Sequence, residues 1–239
     1  MNRQLTAYEP PSIQRHRSGA MNKMGAIPAL RHEDRIDGLA VADLLEEYGS
    51  PLFVYSQRTI EERYRALKEQ LALRWPKVTL AWSYKTNYLE GICRIYHNEG
   101  AWAEVVSAME FEKALRNGVA IDRIVYNGPH KTAESLEKAL SGGALVNIDN
   151  FDELATCEKI ADKLNIFPKV GLRVNMSAGT APRWSRFGFD LDSGQAKDAV
   201  RRLMGGGKLT LNGIHCHLGT FLLDANCYGE AAAKLVSFT

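Results

Sequence analysis

The segment VTLAWSYK, residues 78–85, decides the fold because its side chains alternate between large and small. Successive residues of a β-strand point to opposite faces of a sheet. The bulky face carries Val78, Leu80, Trp82 and Tyr84, and the small face carries Thr79, Ala81, Ser83 and Lys85. The bulky face suits packing against helices. We therefore predict a buried strand that presents Lys85 at its end, on the face without helices.

From residue 57 onward the chain alternates strand and helix patterns. The predicted strands are 78–85, 102–106, 123–127, 144–149, 169–175 and 209–219. The predicted helices are 58–75, 88–100, 108–118, 132–143, 151–165 and 194–204. Two helix starts carry a capping pattern, Ser107 with Glu110 and Asn150 with Glu153. Amphipathic helices between strands indicate right-handed βαβ units on a parallel sheet.

A (β/α)8 barrel and a doubly wound sheet both fit this α/β pattern, and the strand faces favour the barrel. A doubly wound sheet is covered on both faces, so its strands are apolar on both. Here each predicted strand brings a polar group to the end of one face, and a barrel keeps its active site at that end. These groups are Lys85, Glu104, Asn127, Asn147, Arg173 and the pair His215 and His217.

The chain divides into three predicted regions. Residues 1–33 form a flexible N-terminal tail, for which a transit peptide stays open as an alternative. Residues 34–56 are a lead-in segment, and residues 57–239 are a partial (β/α) barrel of about six strands that carries the site.

The charge and the cysteines exclude several classes of protein. The net charge is +2, with both signs spread along the chain, so we expect neither a nucleic-acid partner nor a membrane surface. The four cysteines follow no disulfide or metal spacing, which indicates reduced thiols in a cytoplasmic protein. His215 and Cys216 suggest zinc, but strand alternation places them on opposite faces. We therefore expect no metal.

Lys85 admits two interpretations from the residues alone. A desolvated lysine loses its proton more easily and becomes a nucleophile, which suits Schiff-base chemistry at the mouth of a barrel. Alternatively, the side chain extends from the strand end into water and has no chemical role.

Several short motifs, in a shared order, resemble the pyridoxal-phosphate-dependent decarboxylases with an alanine-racemase-like barrel. The group includes diaminopimelate, ornithine and arginine decarboxylases, and the chain is most similar to the first. The motifs are SYKTN (83–87), AEVVSAMEFEKAL (103–115), YNGPHKT (126–132), GLRVN (171–175), SRFGFD (185–190) and GIHCHLGT (213–220). The sequence departs from the family pattern at Thr220, where serine is usual, and at Arg186, where lysine is common.

The resemblance implies a cofactor, pyridoxal 5'-phosphate, and roles for particular residues. Lys85 would form the Schiff base and later help to return a proton to the product, and His217 would stack on the pyridine ring. The implied cofactor-binding residues are Lys85, Glu104, Arg173, His217, Gly219 and Thr220.

The same resemblance implies an enzyme, a homodimer when complete, that acts on a small amino acid. Decarboxylation of meso-diaminopimelate to L-lysine is the expected reaction, with ornithine or arginine as alternative substrates. The family's C-terminal β-domain and its later phosphate loop have no counterpart in these residues. A non-catalytic module that binds cofactor or associates with a relative therefore stays open. So does a racemase or a cofactor carrier on the same barrel.

Overall fold

A computed structural model describes residues 34–179, 186–220, 222 and 224–238. The predicted tail, residues 1–33, lies outside the described residues. The lead-in segment folds into an antiparallel hairpin, β1 (Arg35–Ile36) and β2 (Leu39–Ala40), followed by helix α1 (Val41–Tyr48). Within the described ranges, no helix combines the length and apolar character that crossing a membrane requires.

The rest of the described chain alternates helices with parallel strands. The strands are β3 (Ala81–Ser83), β4 (Trp102–Val105), β5 (Ile124–Tyr126), β6 (Leu145–Ile148), β7 (Lys169–Asn175), β8 (Phe189–Asp190) and β9 (Thr210–Cys216). The helices are α2 (Gln57–Ala72), α3 (Glu90–Asn98), α4 (Ala108–Arg116), α5 (Ala133–Gly142), α6 (Phe151–Leu164), α7 (Gln195–Gly205) and α8 (Ala225–Phe238).

The strands form one parallel sheet in the order β3-β4-β5-β6-β7-β9, and β8 adds a short pairing with the end of β7. Apart from the short β8, each strand lies beside the next in sequence, as right-handed βαβ units of a barrel require. This confirms the predicted α/β barrel architecture. Among the described strands β3 pairs only with β4 and β9 only with β7, so the sheet is open between its two edges.

Both predicted capping patterns are present at the helix starts. The Ser107 hydroxyl accepts a hydrogen bond from the backbone N–H of Glu110 (3.2 Å), and the Glu110 carboxylate accepts one from the N–H of Val106 (2.8 Å). The side chain of Asn150 accepts from the N–H of Glu153 (2.9 Å). These bonds satisfy N–H groups that a helix start otherwise leaves without a partner.

The core lies between the sheet and its helices, as the bulky strand faces predict. Tyr84 is fully buried, and Trp82 stacks on Tyr96 of α3 with ring centroids 3.8 Å apart. Buried apolar side chains of strands β4 to β8 join the same cluster, and the partly buried apolar side chains of β9 pack against it. The buried side chains include Ala103, Val105, Ile124, Tyr126, Val146, Ile148, Val170, Leu172, Val174 and Phe189.

Three boundary predictions are wrong. The first strand of the sheet is Ala81–Ser83 rather than 78–85. Only these residues pair with β4, and no other described strand pairs with β3. The last strand ends at Cys216 instead of residue 219. Strand β8 lies inside a segment that the sequence predicts as a loop, since two residues are too few for an alternation to be visible.

Candidate functional site

A row of hydrogen bonds joins the carboxyl ends of the first four parallel strands, on the face of the sheet without helices. The hydroxyl of Ser83 donates to the Glu104 carboxylate. The amide of Asn127 donates to the other oxygen of Glu104 (2.7 Å), and the amide of Asn147 donates to the Asn127 oxygen (2.7 Å). Because both neighbours donate to it, the Glu104 carboxylate is held as an acceptor in a fixed orientation. The predicted polar positions of these strands therefore form one connected network.

Arg173 of β7 lies in a buried charged site beside that network. Its guanidinium pairs with Asp149 (3.3 Å), and both side chains are buried. The guanidinium also lies over the ring of Phe187, 5.0 Å from its centroid. Gly188 has φ +83°, and a Cβ there would lie 2.7 Å from the Arg173 carbonyl oxygen. The glycine thus allows the Phe-Gly motif to cross closely over the strand that carries Arg173.

The two histidines of the GIHCHLGT motif lie at the same end of the sheet. His215 is the register partner of Arg173, and burial, together with the positive charge of Arg173, lowers its pKa to about 3. Burial also lowers the pKa of His217, with Lys85 and Arg173 lowering it further and Glu104 raising it. Both imidazoles are therefore neutral at pH 7. Lys85, Arg173 and Glu104 thus all lie within electrostatic reach of His217.

Lys85 is exposed, and it occupies a turn beyond the end of β3. The expectation of a lysine buried at the strand end is therefore wrong for the described chain. The physical reason is the open edge of the sheet, because no described strand pairs with β3 on the side away from β4. The side chain still lies at the carboxyl end of the sheet, where its charge lowers the pKa of both Glu110 and His217.

Gly219 and Thr220 follow β9 at the same end of the sheet. Gly219 has φ +151°, a conformation that side chains rarely adopt, and nothing lies within 4 Å of the position of its missing Cβ. Thr220 is exposed. The predicted phosphate contacts thus lie at the rim of the site, with their backbone and hydroxyl groups accessible.

Comparison with known proteins assigns the family. Residues 57–239 match the family model described as the pyridoxal binding domain of pyridoxal-dependent decarboxylases. The chain belongs to this family. Pyridoxal phosphate is accordingly the cofactor that this domain indicates.

Relatives within the family include diaminopimelate decarboxylases. The enzyme of that name from Aquifex aeolicus is 31% identical over 222 residues, which cover 88% of this chain and 51% of the relative. The crystal structure of the diaminopimelate decarboxylase from Methanocaldococcus jannaschii matches with a TM-score of 0.79 and 28% identity, over 85% of this chain and 50% of that one. A structure of that enzyme in complex with L-lysine matches with a TM-score of 0.78 and 29% identity, over the same shares of the two chains. The chain thus spans about half the length of the relatives that it matches.

The residues present fit pyridoxal phosphate. Nδ1 of His215 is buried and has no hydrogen-bond partner among the described residues, so it can bond to a bound polar group. The site also offers the amine of Lys85 for the aldehyde, a flat neutral imidazole at His217 and an accessible glycine rim. These are the groups that an aromatic aldehyde with a phosphate requires.

Lys131 and Asp149 are site residues to which the sequence assigns no role. The side chain of Lys131 is fully buried and donates to the carbonyl groups of Gly128 (2.9 Å) and Asn147 (3.1 Å) and to the Glu153 carboxylate (2.8 Å). It therefore fixes the backbone beneath the polar row. The motif YNGPHKT contains Lys131 and the second capping pattern contains Glu153, but neither pattern indicates that the two side chains pair.

Proposed function

We propose that this chain provides the cofactor-carrying barrel of an amino-acid decarboxylase. Lys85 holds pyridoxal phosphate covalently, and meso-diaminopimelate is the substrate. The connected row Ser83–Glu104–Asn127–Asn147 carries the proposal, because Ser83 also begins the turn that carries Lys85. It places one oriented carboxylate and one accessible amine at the carboxyl ends of parallel strands, where barrel enzymes keep their chemistry.

The charged residues hold and orient the cofactor. Nζ of Lys85 would hold the cofactor through its aldehyde at the carboxyl ends of the strands. The cofactor, when bound, supplies the electron sink for the pair of electrons left by the departing carboxylate. Glu104 presents a fixed negative charge that its two donors keep in place, and Arg173 presents a cation that Asp149 and Phe187 keep flat.

The neutral imidazoles contribute shape and hydrogen bonding. His217 offers a flat face for packing on the cofactor ring, and burial keeps it uncharged. Nδ1 of His215 bonds to a polar atom of the bound group. The backbone N–H of Gly219 and the hydroxyl of Thr220 bind phosphate oxygens at the rim. The Lys85 amine would also supply the proton that returns to the product carbon.

The relatives support the choice of substrate. Several are diaminopimelate decarboxylases of about 30% identity, and one related structure contains L-lysine, the product expected from meso-diaminopimelate. Ornithine and arginine are the competing substrates. A homodimer and a cytoplasmic location stay predictions.

The test is carbon dioxide release by the full-length natural gene product with added pyridoxal phosphate. We expect release from meso-diaminopimelate to exceed that from lysine, ornithine and arginine, and to disappear in Lys85→Ala. Lys138→Ala is the matched control, because Lys138 is an exposed lysine that pairs with Glu112 on the outer helices. Faster release from ornithine or arginine would overturn the proposed substrate. Equal release by Lys85→Ala and the native protein would overturn the proposed activity.

A further inference from the structure

The segment that carries Lys85 is a turn at the edge of the sheet. The N–H of Tyr84 donates to the Glu104 carbonyl (2.9 Å), and the N–H of Thr86 donates to the Ser83 carbonyl (3.1 Å). Tyr84 and Lys85 are therefore the two central residues of a β-turn. Strand β3 before it has only three residues and one neighbour among the described strands. Sheet pairing alone thus holds the turn weakly.

The side chain of Tyr84 anchors the turn to the helix layer. It is fully buried, and its hydroxyl lies 2.8 Å from Nε2 of His97 on α3. The amide of Asn117, at the end of α4, donates to the same hydroxyl (3.1 Å). Two helices therefore hold the residue that directly precedes Lys85.

The donors and acceptors of this contact are determined by the surrounding groups. Nδ1 of His97 lies 2.9 Å from the Ala101 carbonyl oxygen, which can only accept, so Nδ1 carries the proton. Burial lowers the pKa of His97, so the ring is neutral and Nε2 is an acceptor. The Tyr84 hydroxyl then donates to His97 and accepts from Asn117. The hydroxyl uses both roles, which leaves one orientation for the ring.

The residues after Lys85 are held in the same way. The indole N–H of Trp82 donates to the carbonyl of Asn87 (2.9 Å), and the Cys93 thiol lies 3.7 Å from that oxygen. The side chain of Asn87 accepts from the N–H of Leu89 (3.0 Å). Lys85 is thus exposed itself, whereas the chain on both sides of it is fixed to the helix layer.

We propose that Tyr84, oriented by His97 and Asn117, is a positioning residue that sets the direction of Lys85 toward the cofactor. The inference rests on the proposed function of Lys85. The tyrosine touches neither substrate nor cofactor and acts through the turn. Removing its hydroxyl leaves the aromatic packing in place but releases the ring from both helices, so the turn and the lysine become mobile.

Tyr84→Phe tests the proposal, with Tyr126→Phe as the matched control. Tyr126 is also fully buried in the sheet, and its hydroxyl bonds to Ser135 (3.0 Å) away from Lys85. One readout is the pyridoxal phosphate concentration that half-saturates Lys85, measured by borohydride trapping and peptide mass spectrometry. The other, without cofactor, is the acylation rate of Lys85 relative to Lys138 in competitive labelling.

We expect Tyr84→Phe, which loses two buried hydrogen bonds, to raise the half-saturating concentration by at least the roughly two- to tenfold that one such bond contributes, and to change the Lys85 labelling rate. His97→Leu should change both readouts as Tyr84→Phe does. His97→Gln keeps a hydrogen-bond acceptor, so both readouts should stay close to those of the native protein. Tyr126→Phe should change neither readout, although it also loses a buried bond. Equal shifts in the two tyrosine variants, or no shift in either, would overturn the positioning role. Failure of the native chain to trap cofactor on Lys85 would instead overturn the proposed function, and cofactor-free labelling would still decide the role of Tyr84.

Discussion

The negative charge of Glu104 affects the pKa of His217 on the face of the sheet without helices. Glu104 raises the pKa of His217, while burial and two cations lower it. Replacing Glu104 by glutamine keeps a hydrogen-bonding side chain and removes the negative charge. We expect the pKa of His217 to fall further in this variant, as an NMR titration of the imidazole signals would show.

Glu112→Gln is the control for that titration, because Glu112 is exposed and pairs with Lys138 on the outer helices. It should leave the His217 signal at its native position. A rise of the His217 pKa in Glu104→Gln would contradict the assigned geometry of these two residues.

At the scale of elements, a glycine in β7 sets the spacing between neighbouring strands. A Cβ on Gly171 would lie 1.9 Å from Oδ1 of Asn147, whereas a Cβ on its register partner Gly213 would meet nothing within 4 Å. Gly171→Ala should therefore displace Asn147 from Asn127 and lower the free energy of unfolding by about 1–3 kcal/mol. Gly213→Ala should cost much less. Urea unfolding of both variants measures the difference, and equal losses would show that the polar row is not tightly packed.

The buried ion pair of Lys131 joins the loop after β5, the end of β6 and the start of α6. Lys131→Met leaves the Glu153 carboxylate buried without its cation, which typically costs about 3–5 kcal/mol. Lys138→Met removes an exposed pair, for which a loss of about 1 kcal/mol or less is usual. Chemical denaturation distinguishes the two. A small loss for Lys131→Met would mean that water reaches Glu153.

The sequence predicts helices, strands and their faces well where a periodic pattern is long. It predicts the burial of a side chain poorly where contacts distant in sequence determine that burial. Alternation along the strands places Glu104, Asn127 and Asn147 on one face, because a strand in a curved sheet has only two faces. The exposure of Lys85 depends instead on what covers the edge of β3. The burial of Lys131 depends on carbonyl groups and a carboxylate far along the chain. No local pattern contains that information.

At the scale of the whole molecule, the open edge of the sheet adjoins an apolar groove. The groove has a volume of about 310 Å³ and lies between α2, α3 and β3, where Leu67 is 55% exposed. Its main lining residues are Tyr64, Leu67, Leu80, Trp82 and Tyr96. Free strand edges and apolar grooves promote association. A polypeptide of these 239 residues should therefore self-associate.

Sedimentation velocity over a range of concentrations measures that association. Leu67→Glu should weaken it, while Leu73→Glu, an equally apolar and more exposed position that does not line the groove, should not. A monodisperse monomer at all concentrations would contradict the account of the open edge.

The central claim is that Lys85 carries the cofactor, and covalent trapping tests it most directly. The chain is incubated with pyridoxal phosphate, reduced with borohydride and digested, and the modified lysine is identified by mass spectrometry. The account predicts a pyridoxyl group on Lys85 at cofactor concentrations that leave exposed lysines such as Lys138 unmodified. A pyridoxyl group on another lysine in preference to Lys85, or equal modification of all exposed lysines, would contradict it.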